Sequence, residues 1–233
     1  MERLLGREFN DRLARQPVGY LPIGTLERHG DHLPMGLDVI KAHAFCVFLA
    51  ERIGGIVWPP HHYLGIHQEG DRRTTQWSEW GNVYISETLA RETLRQLLDR
   101  AEELGFKVMV VFSGHYPTCQ RNMLDWLEDQ TWPRLKVLAY DDCEIMGDGD
   151  HAGIWETSIL TAFRPDLVRM DRIHAVNRRD HHWDEAHDPA KADPALGRQA
   201  IDKVFRRIAR DVQKALQPSE KRPRHPARSA RKR

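Results

Sequence analysis

The segment at residues 24–38 holds a dense set of side chains that can bind metal ions. Its sequence is Gly-Thr-Leu-Glu-Arg-His-Gly-Asp-His-Leu-Pro-Met-Gly-Leu-Asp, and it follows an apolar run. Carboxylate oxygens combined with imidazole nitrogens, without thiolates, suit zinc, manganese or iron(II). The glycines and the proline permit the tight turns that bring separated ligands together. The segment therefore predicts a metal site, although an isolated histidine in a polar loop is more often solvated than bound to metal.

Two later segments strengthen this interpretation, because each places a histidine in a glycine-containing loop. They are Ser113-Gly114-His115 and Asp150-His151-Ala152-Gly153. Glu156 follows near the start of a predicted helix. The helix dipole favours a carboxylate at that position whether or not the residue has a chemical role.

Apolar stretches predict buried strands that end just before these loops. The predicted strands are residues 17–24, 55–59, 107–113 and 135–141. Strands that are apolar on both faces and alternate with amphipathic helices indicate a parallel sheet covered on both sides. We therefore predict an α/β fold with three layers, α/β/α, around a mostly parallel central sheet. Ligands in such folds bind beyond the carboxyl ends of the strands, so we expect Glu27, His29 and His115 to gather at one edge of the sheet.

Helix signals lie between these strands. Asp38 stands at the N-cap position of a helix over residues 39–50, so capping is an alternative to metal binding for this carboxylate. Ser86 opens a long helix that ends at Gly105, which is a typical C-terminal stop. Two further helices are predicted over residues 118–130 and 195–216.

Length and charge fit one domain rather than two. The 233 residues carry a net charge of +1, and a chain of this length can bury a substantial core. No apolar stretch approaches the roughly 20 residues that span a bilayer, and no signal peptide is recognised. We expect a domain over residues 1–216 followed by a basic tail over residues 217–233, in a cytoplasmic protein.

The three cysteines do not suggest a disulfide framework or a thiolate zinc site, because they are odd in number and unpaired in spacing. Cys46 lies in an apolar helical pattern and is predicted to be a buried small hydrophobe. Cys119 lies near His115 in the sequence and is an alternative nucleophile, but no base and orienting residue are defined for it.

Two connections and the tail lack regular periodicity. Residues 61–85 carry three histidines with Trp77, Trp80 and Tyr84, and a connection of this length predicts a substrate lid or a subunit contact. For the histidines of residues 166–193, a solvated connection is favoured over a second metal site.

The tail has seven cationic side chains and one glutamate, which predicts disorder. Contact of the tail with nucleic acid is the less favoured alternative.

Taken together, these segments resemble the creatininase (creatinine amidohydrolase) family. Residues 24–38, the Ser113-Gly114-His115 segment and residues 151–158 are similar to the three signature segments of the family, in the same order. The resemblance implies an α/β/α metallohydrolase domain, often assembled as a homo-oligomer, in which an aspartate and a hydroxide bridge two divalent metals. It also implies a site in which His151 is the acid or base near the leaving nitrogen. The implied metal ligands are Glu27, His29, Asp38 as the bridge, and His115.

The chain departs from the family pattern in the middle segment. Creatininase itself has Asn-Gly-His-Tyr-Glu-Asn there, whereas this chain has Ser113 at the first position and Pro117 in place of the glutamate ligand. Because proline cannot coordinate a metal, Glu156 is predicted as the replacement ligand within the catalytic site. The Phe-Pro-Gly-Thr-type stretch of the long loop is also absent, so creatinine itself is not the expected substrate.

Two classes of function follow from the resemblance. The first is a metal-dependent amidohydrolase that acts on a small cyclic amide, formamide or peptide-like substrate, with two Zn, Mn or Fe(II) ions. Paired metals lower the pKa of a bound water toward about 7, and a histidine can protonate the departing amine. The second is a family member that has lost catalysis and acts as a binding or scaffold subunit. The retained set of carboxylates and histidines favours the first.

Overall fold

Four parallel strands form the central sheet of the computed structural model, which describes residues 1–67, 82–173 and 183–217. The strands are β1 (Val18–Ile23), β2 (Ile56–Val57), β3 (Val108–Ser113) and β4 (Lys136–Asp141), in the spatial order β2-β1-β3-β4. Ile23 pairs with Ser113, and Ser113 pairs with Asp141. Three strands therefore end at the same level, and the loops that follow them start from one edge of the sheet.

Helices cover both faces of this sheet. They are α1 (Gly6–Arg15), α2 (Leu37–Ile53), α3 (Glu87–Leu104), α4 (Thr118–Asp129), α5 (Asp142–Met146), α6 (Ile154–Phe163) and α7 (Pro194–Leu216).

Alternate strand residues enter two separate hydrophobic cores, one on each face. On one face Met109 packs in a core with residues of α3 and α4, such as Leu94 and Leu127. On the other face Val110 packs in a core with residues of α2, α6 and α7, such as Phe45. The predicted three-layer α/β/α fold is confirmed, and all four described strands are parallel.

The predicted ends of α3 are confirmed, whereas the predicted cap of α2 is wrong. Ser86 accepts a hydrogen bond from the backbone N–H of Leu89, and Gly105 ends α3 in the left-handed conformation. In α2 the N-cap residue is Gly36, and Asp38 already lies in the first turn. The carboxylate of Asp38 faces two histidines instead of the helix N-terminus, so the tertiary contacts decide its orientation.

Several elements were not predicted. The sequence analysis did not identify α1 or the short α5, which Asp141 caps by accepting a hydrogen bond from Glu144 N at 2.7 Å. In the described part of the stretch expected to be irregular, three 3-10 turns lie at Pro165–Leu167, Met170–Arg172 and Pro189–Lys191. Cys46 is fully buried, as predicted.

Parts of the predictions fall outside the described residues. These are the lid residues Trp77 and Trp80, the histidines at 174, 181 and 182, and the basic tail from residue 218 onward. None of the helices in the described ranges has the length and apolar character needed to cross a membrane.

Candidate metal centre

Five buried side chains from four chain segments meet at the carboxyl edge of the sheet. Glu27 and His29 follow β1, Asp38 lies in the first turn of α2, His115 follows β3, and Glu156 lies in the first turn of α6. Each is at most 4% exposed. The structure therefore brings together all five predicted ligands.

Gly114 allows two of these segments to approach one another. A Cβ atom at this position would lie 1.9 Å from the backbone oxygen of Asp38, closer than any side chain tolerates. The end of β3 can therefore pack against the start of α2 only with glycine at residue 114. This contact sets His115 beside Asp38.

The two carboxylate oxygens of Asp38 face different histidines. Its Oδ1 lies 3.1 Å from Nε2 of His29, and its Oδ2 lies 3.2 Å from Nδ1 of His115. Glu27 Oε1 is 3.1 Å from the same nitrogen of His115, and Glu156 Oε2 is 3.6 Å from Nε2 of His29. Asp38 thus belongs to two sets of ligand atoms, Glu27–Asp38–His115 and His29–Asp38–Glu156, each compact enough to hold one ion.

Backbone carbonyls orient both histidines for this role. His29 Nδ1 lies 3.1 Å from the carbonyl oxygen of Glu27, and His115 Nε2 lies 3.1 Å from that of Ile66. Because a carbonyl only accepts, the ring N–H lies at that nitrogen and the other nitrogen can direct a lone pair toward the carboxylates. His29 Nε2 and Asp38 Oδ2 are buried without a hydrogen-bond partner among the described residues. Divalent cations fit this donor set, since they would satisfy both atoms.

The shifted pKa values of the cluster also show that positive charge is stabilised among its carboxylates. Burial alone would raise the pKa of Glu27, but the imidazole of His115 outweighs it and lowers the pKa to about 2. Burial would lower the pKa of His29, but the carboxylates of Asp38 and Glu156 outweigh it and raise the pKa to about 9. Bound cations would replace these protons, because metal ligands must be deprotonated.

His151 lies beside the cluster and faces it with one nitrogen. Its Nε2 donates to the carbonyl oxygen of Arg28 at 2.9 Å, and its Nδ1 lies 3.7 Å from Glu27 Oε1. Its ring centroid is 4.5 Å from that of His29. Burial and the nearby His29 lower the pKa of His151. The imidazole of His151 can therefore accept or donate a proton beside the cluster. Together with Glu27 and His29, His151 also forms a third compact set of ligand atoms.

The sequence analysis missed Lys41, which is fully buried behind the cluster. Its Nζ lies 2.8 Å from Glu156 Oε1 and 3.0 Å from Asp142 Oδ2. Burial would lower the pKa of Lys41, but these two carboxylates raise it above its usual value. A lysine inside an apolar helix, three residues after Asp38 and therefore on the same face, was the available signal.

Tyr84 was predicted only as part of an aromatic loop, yet its hydroxyl donates to Glu27 Oε2 at 2.5 Å. Burial and the charge of Glu27 raise the pKa of Tyr84, so the phenol stays a donor. This bond fixes the second oxygen of Glu27 while Oε1 faces His115.

Other candidates from the sequence have different roles. Burial raises the pKa of Cys119, and its thiol donates to the carbonyl oxygen of Ile66 at 3.4 Å, which does not favour a thiolate nucleophile. His187 binds the carboxylates of Asp148 and Asp184. Pro117 occupies the N-cap position of α4, and its side chain offers no ligand atom.

A cavity of about 510 Å³ opens onto the cluster. This volume is typical of small-molecule sites. Its described lining includes Glu27, Asp38, His115, His151 and Glu156.

The three-layer α/β/α fold, with buried carboxylates and imidazoles at the carboxyl edge of its parallel sheet, defines an α/β protein with a candidate metal centre. The chain belongs to the creatininase family, since the family model described as creatinine amidohydrolase matches residues 2–212. Members of this family are hydrolases that act on C–N amide bonds.

Two curated relatives match most of the chain. A creatinine amidohydrolase of Pseudomonas putida is 27% identical over 201 residues, which cover 73% of this chain and 74% of the relative. A mycofactocin precursor peptide peptidase of Mycobacterium ulcerans (strain Agy99) is 28% identical over 188 residues, which cover 74% of this chain and 69% of the relative.

Solved structures of creatininase share the fold. One crystal structure of creatininase has a TM-score of 0.75 at 21% identity and covers 94% of this chain and 98% of that one. A mutant creatininase of Zn-Zn type has a TM-score of 0.73 at 21% sequence identity. A manganese creatininase has a TM-score of 0.71 at 22% sequence identity. Each of these two also covers 94% of this chain and 98% of the other.

Proposed function

We propose that this protein is a metal-dependent amidohydrolase that cleaves a C–N amide bond of a small cyclic amide, formamide or peptide-like substrate. The observation that carries the proposal is the position of Asp38, whose two oxygens face two separate sets of ligand atoms. Family membership supports amide hydrolysis, and relatives of known structure include Zn-Zn and manganese forms.

In this proposal the ligand sets divide between two cations, with Asp38 shared. Glu27 and His115 would hold one ion, and His29 and Glu156 would hold the other. The donor atoms suit Zn, Mn or Fe(II). When bound, such a pair polarises an amide carbonyl and activates a water molecule.

His151 is the residue proposed to handle the proton. An amide nitrogen is a poor leaving group until it is protonated, so a positioned acid contributes where charge develops on that nitrogen. The Arg28 carbonyl fixes the ring by accepting from Nε2, which leaves Nδ1 turned toward Glu27 and able to carry a proton. The lowered pKa of His151 helps it to release that proton.

The test combines metal analysis with an amide-hydrolysis screen of the purified protein. We expect bound Zn, Mn or Fe and hydrolysis of at least one formamide, cyclic amide or dipeptide. Asp38→Asn should lose metal and activity together, whereas Asp31→Asn, in the same loop but half exposed, should keep both. Failure of Asp38→Asn to change metal content would overturn the proposal. Light scattering in the same preparation tests the proposed homo-oligomer.

A second candidate is a family member that binds metal without catalysis. Two observations favour it: Pro117 occupies a position of the family's ligand motif, and Lys41 engages one oxygen of the replacement Glu156. Metal binding without turnover of any amide in the screen would support this binding or scaffold role.

A further inference from the structure

Arg121 is the one permanently cationic side chain among the described residues that line the cavity above the candidate metal centre. It lies in the first turn of α4, six residues after His115. The acidic residues of the same lining are Glu27, Asp38, Asp150 and Glu156. A cation at this place is therefore a distinct chemical feature of the substrate space.

The guanidinium group of Arg121 contacts two side chains and remains partly exposed. Its Nε lies 3.3 Å from Asp141 Oδ2, and its Nη2 donates to Cys143 Sγ at 2.6 Å. Its Cζ lies 5.8 Å from the ring centroid of Tyr116. Nε has no hydrogen-bond partner among the described residues in spite of this contact, and the side chain is 39% exposed. These contacts orient the guanidinium group, and its exposed part can donate hydrogen bonds to a ligand.

A purely structural pairing with Asp141 explains less of this arrangement. Asp141 is 1% exposed and uses its Oδ1 to cap α5 through Glu144 N. Its Oδ2 alone faces Arg121. Because this contact uses one oxygen of Asp141, the partly exposed guanidinium can still contact a ligand in the cavity that it lines.

We propose that Arg121 binds a carboxylate of the substrate and restricts the enzyme to small amides that carry one, such as N-acyl amino acids and short peptides. This inference rests on the proposed function. The planar guanidinium matches a carboxylate through parallel N–H donors. The ion pair would also set how far the scissile amide lies from the charged end, which orients the amide over the ligand cluster.

The test compares matched substrates: a panel of N-acyl amino acids and the corresponding N-acyl amino acid methyl esters, in which only the carboxylate is neutralised. For the wild type we expect a kcat/KM that is on the order of 10- to 100-fold higher for the acid. Arg121→Met should abolish the preference by lowering kcat/KM for the acid alone. Arg121→Lys keeps the positive charge but loses the parallel N–H donors of the guanidinium. This variant should therefore keep only part of the preference for the acid.

Two controls keep the result interpretable. Arg207→Met removes an arginine that also pairs with a carboxylate, Asp211, but does not line this cavity, so the preference should survive. Because Arg121→Met leaves Asp141 buried without its cation, the double variant Arg121→Met/Asp141→Asn removes the pair together if the single variant does not fold.

The outcomes separate this inference from the proposed function. Hydrolysis with no preference for the acid, or with a preference that survives in Arg121→Met, overturns the assignment of Arg121 while leaving the amidohydrolase intact. If no amide is hydrolysed, the proposed function fails. Calorimetric titration with N-acyl amino acids then decides: binding lost in Arg121→Met supports the carboxylate site, and binding that is absent or unchanged overturns it.

Discussion

Lys41 donates a hydrogen bond of 2.8 Å from Nζ to Oε1 of Glu156, and both side chains are at most 2% exposed. The pair places a permanent positive charge directly behind the candidate metal centre. Because Glu156 Oε1 is engaged by Lys41, its Oε2 is the atom that faces His29. A buried pair of this kind orients its members even where its net contribution to stability is small.

Removal of Lys41 should be strongly destabilising. Lys41→Met leaves Glu156 and Asp142 buried without their cation, which typically costs about 3–5 kcal/mol. We expect this loss in the free energy of unfolding measured by denaturant titration. Lys214→Met, on the exposed face of α7, should change it by less than about 0.5 kcal/mol. Similar small effects for both variants would show that Lys41 is not needed for the buried carboxylates.

Metal should bind through Glu27, His29, Asp38 and His115. Elemental analysis should find metal in the wild type and much less in His29→Ala/His115→Ala. Saturating metal should also raise the melting temperature of chelator-treated wild type by several degrees, since a ligand at about 100 times its Kd adds roughly 2.7 kcal/mol. His43→Ala, on α2 but away from the cluster, is the matched control. Equal metal content in wild type and double variant would refute this ligand set.

His151→Asn tests whether His151 is an acid or a ligand. If it protonates the leaving nitrogen, the variant should keep its metal and lose about 10² to 10⁴ in kcat. A substrate whose leaving group needs no proton should recover most of that loss. A ligand role is the alternative, because Glu27, His29 and His151 also form a compact ligand set. Loss of metal together with activity would assign His151 as a ligand.

The ion pairs of His187 should give a pH-dependent contribution to stability. Hydrogen bonds to Asp148 and Asp184 raise the pKa of His187. Its contribution is therefore complete below the unfolded-state pKa of about 6.5 and is lost as the pH rises through the raised folded-state value. The gap in melting temperature between wild type and His187→Gln should be wider near about pH 5.5 than near about pH 9. A gap that does not change with pH would mean that His187 acts only as a neutral hydrogen-bonding group.

Deletion of residues 218–233 should leave the domain intact. This stretch has few apolar side chains to bury and many like charges. We expect the truncated chain to keep the melting temperature and the oligomeric state of the full chain, measured by calorimetry and light scattering. A decrease of several degrees would show that the tail contributes to the fold.

The sequence determined the strands, the ends of α3 and the edge where the site lies. Apolar runs such as residues 107–113 specify buried strands, and Ser86 and Gly105 satisfy helix-end groups through local chemistry. Because parallel strands end at one edge, the positions of Glu27 and His115 followed from topology. These features depend on residues that are near one another in the chain, so they can be predicted from sequence patterns.

Only the tertiary structure decided which atoms face one another. Asp38 was equally consistent with a helix cap, until the packing of Gly114 against its backbone set its oxygens between two histidines. Lys41 meets Glu156 across 115 residues, and Arg121 reaches the cavity wall through the orientation of α4. Such contacts depend on how each helix is rotated against the sheet, and that rotation is fixed by the packing of the whole core.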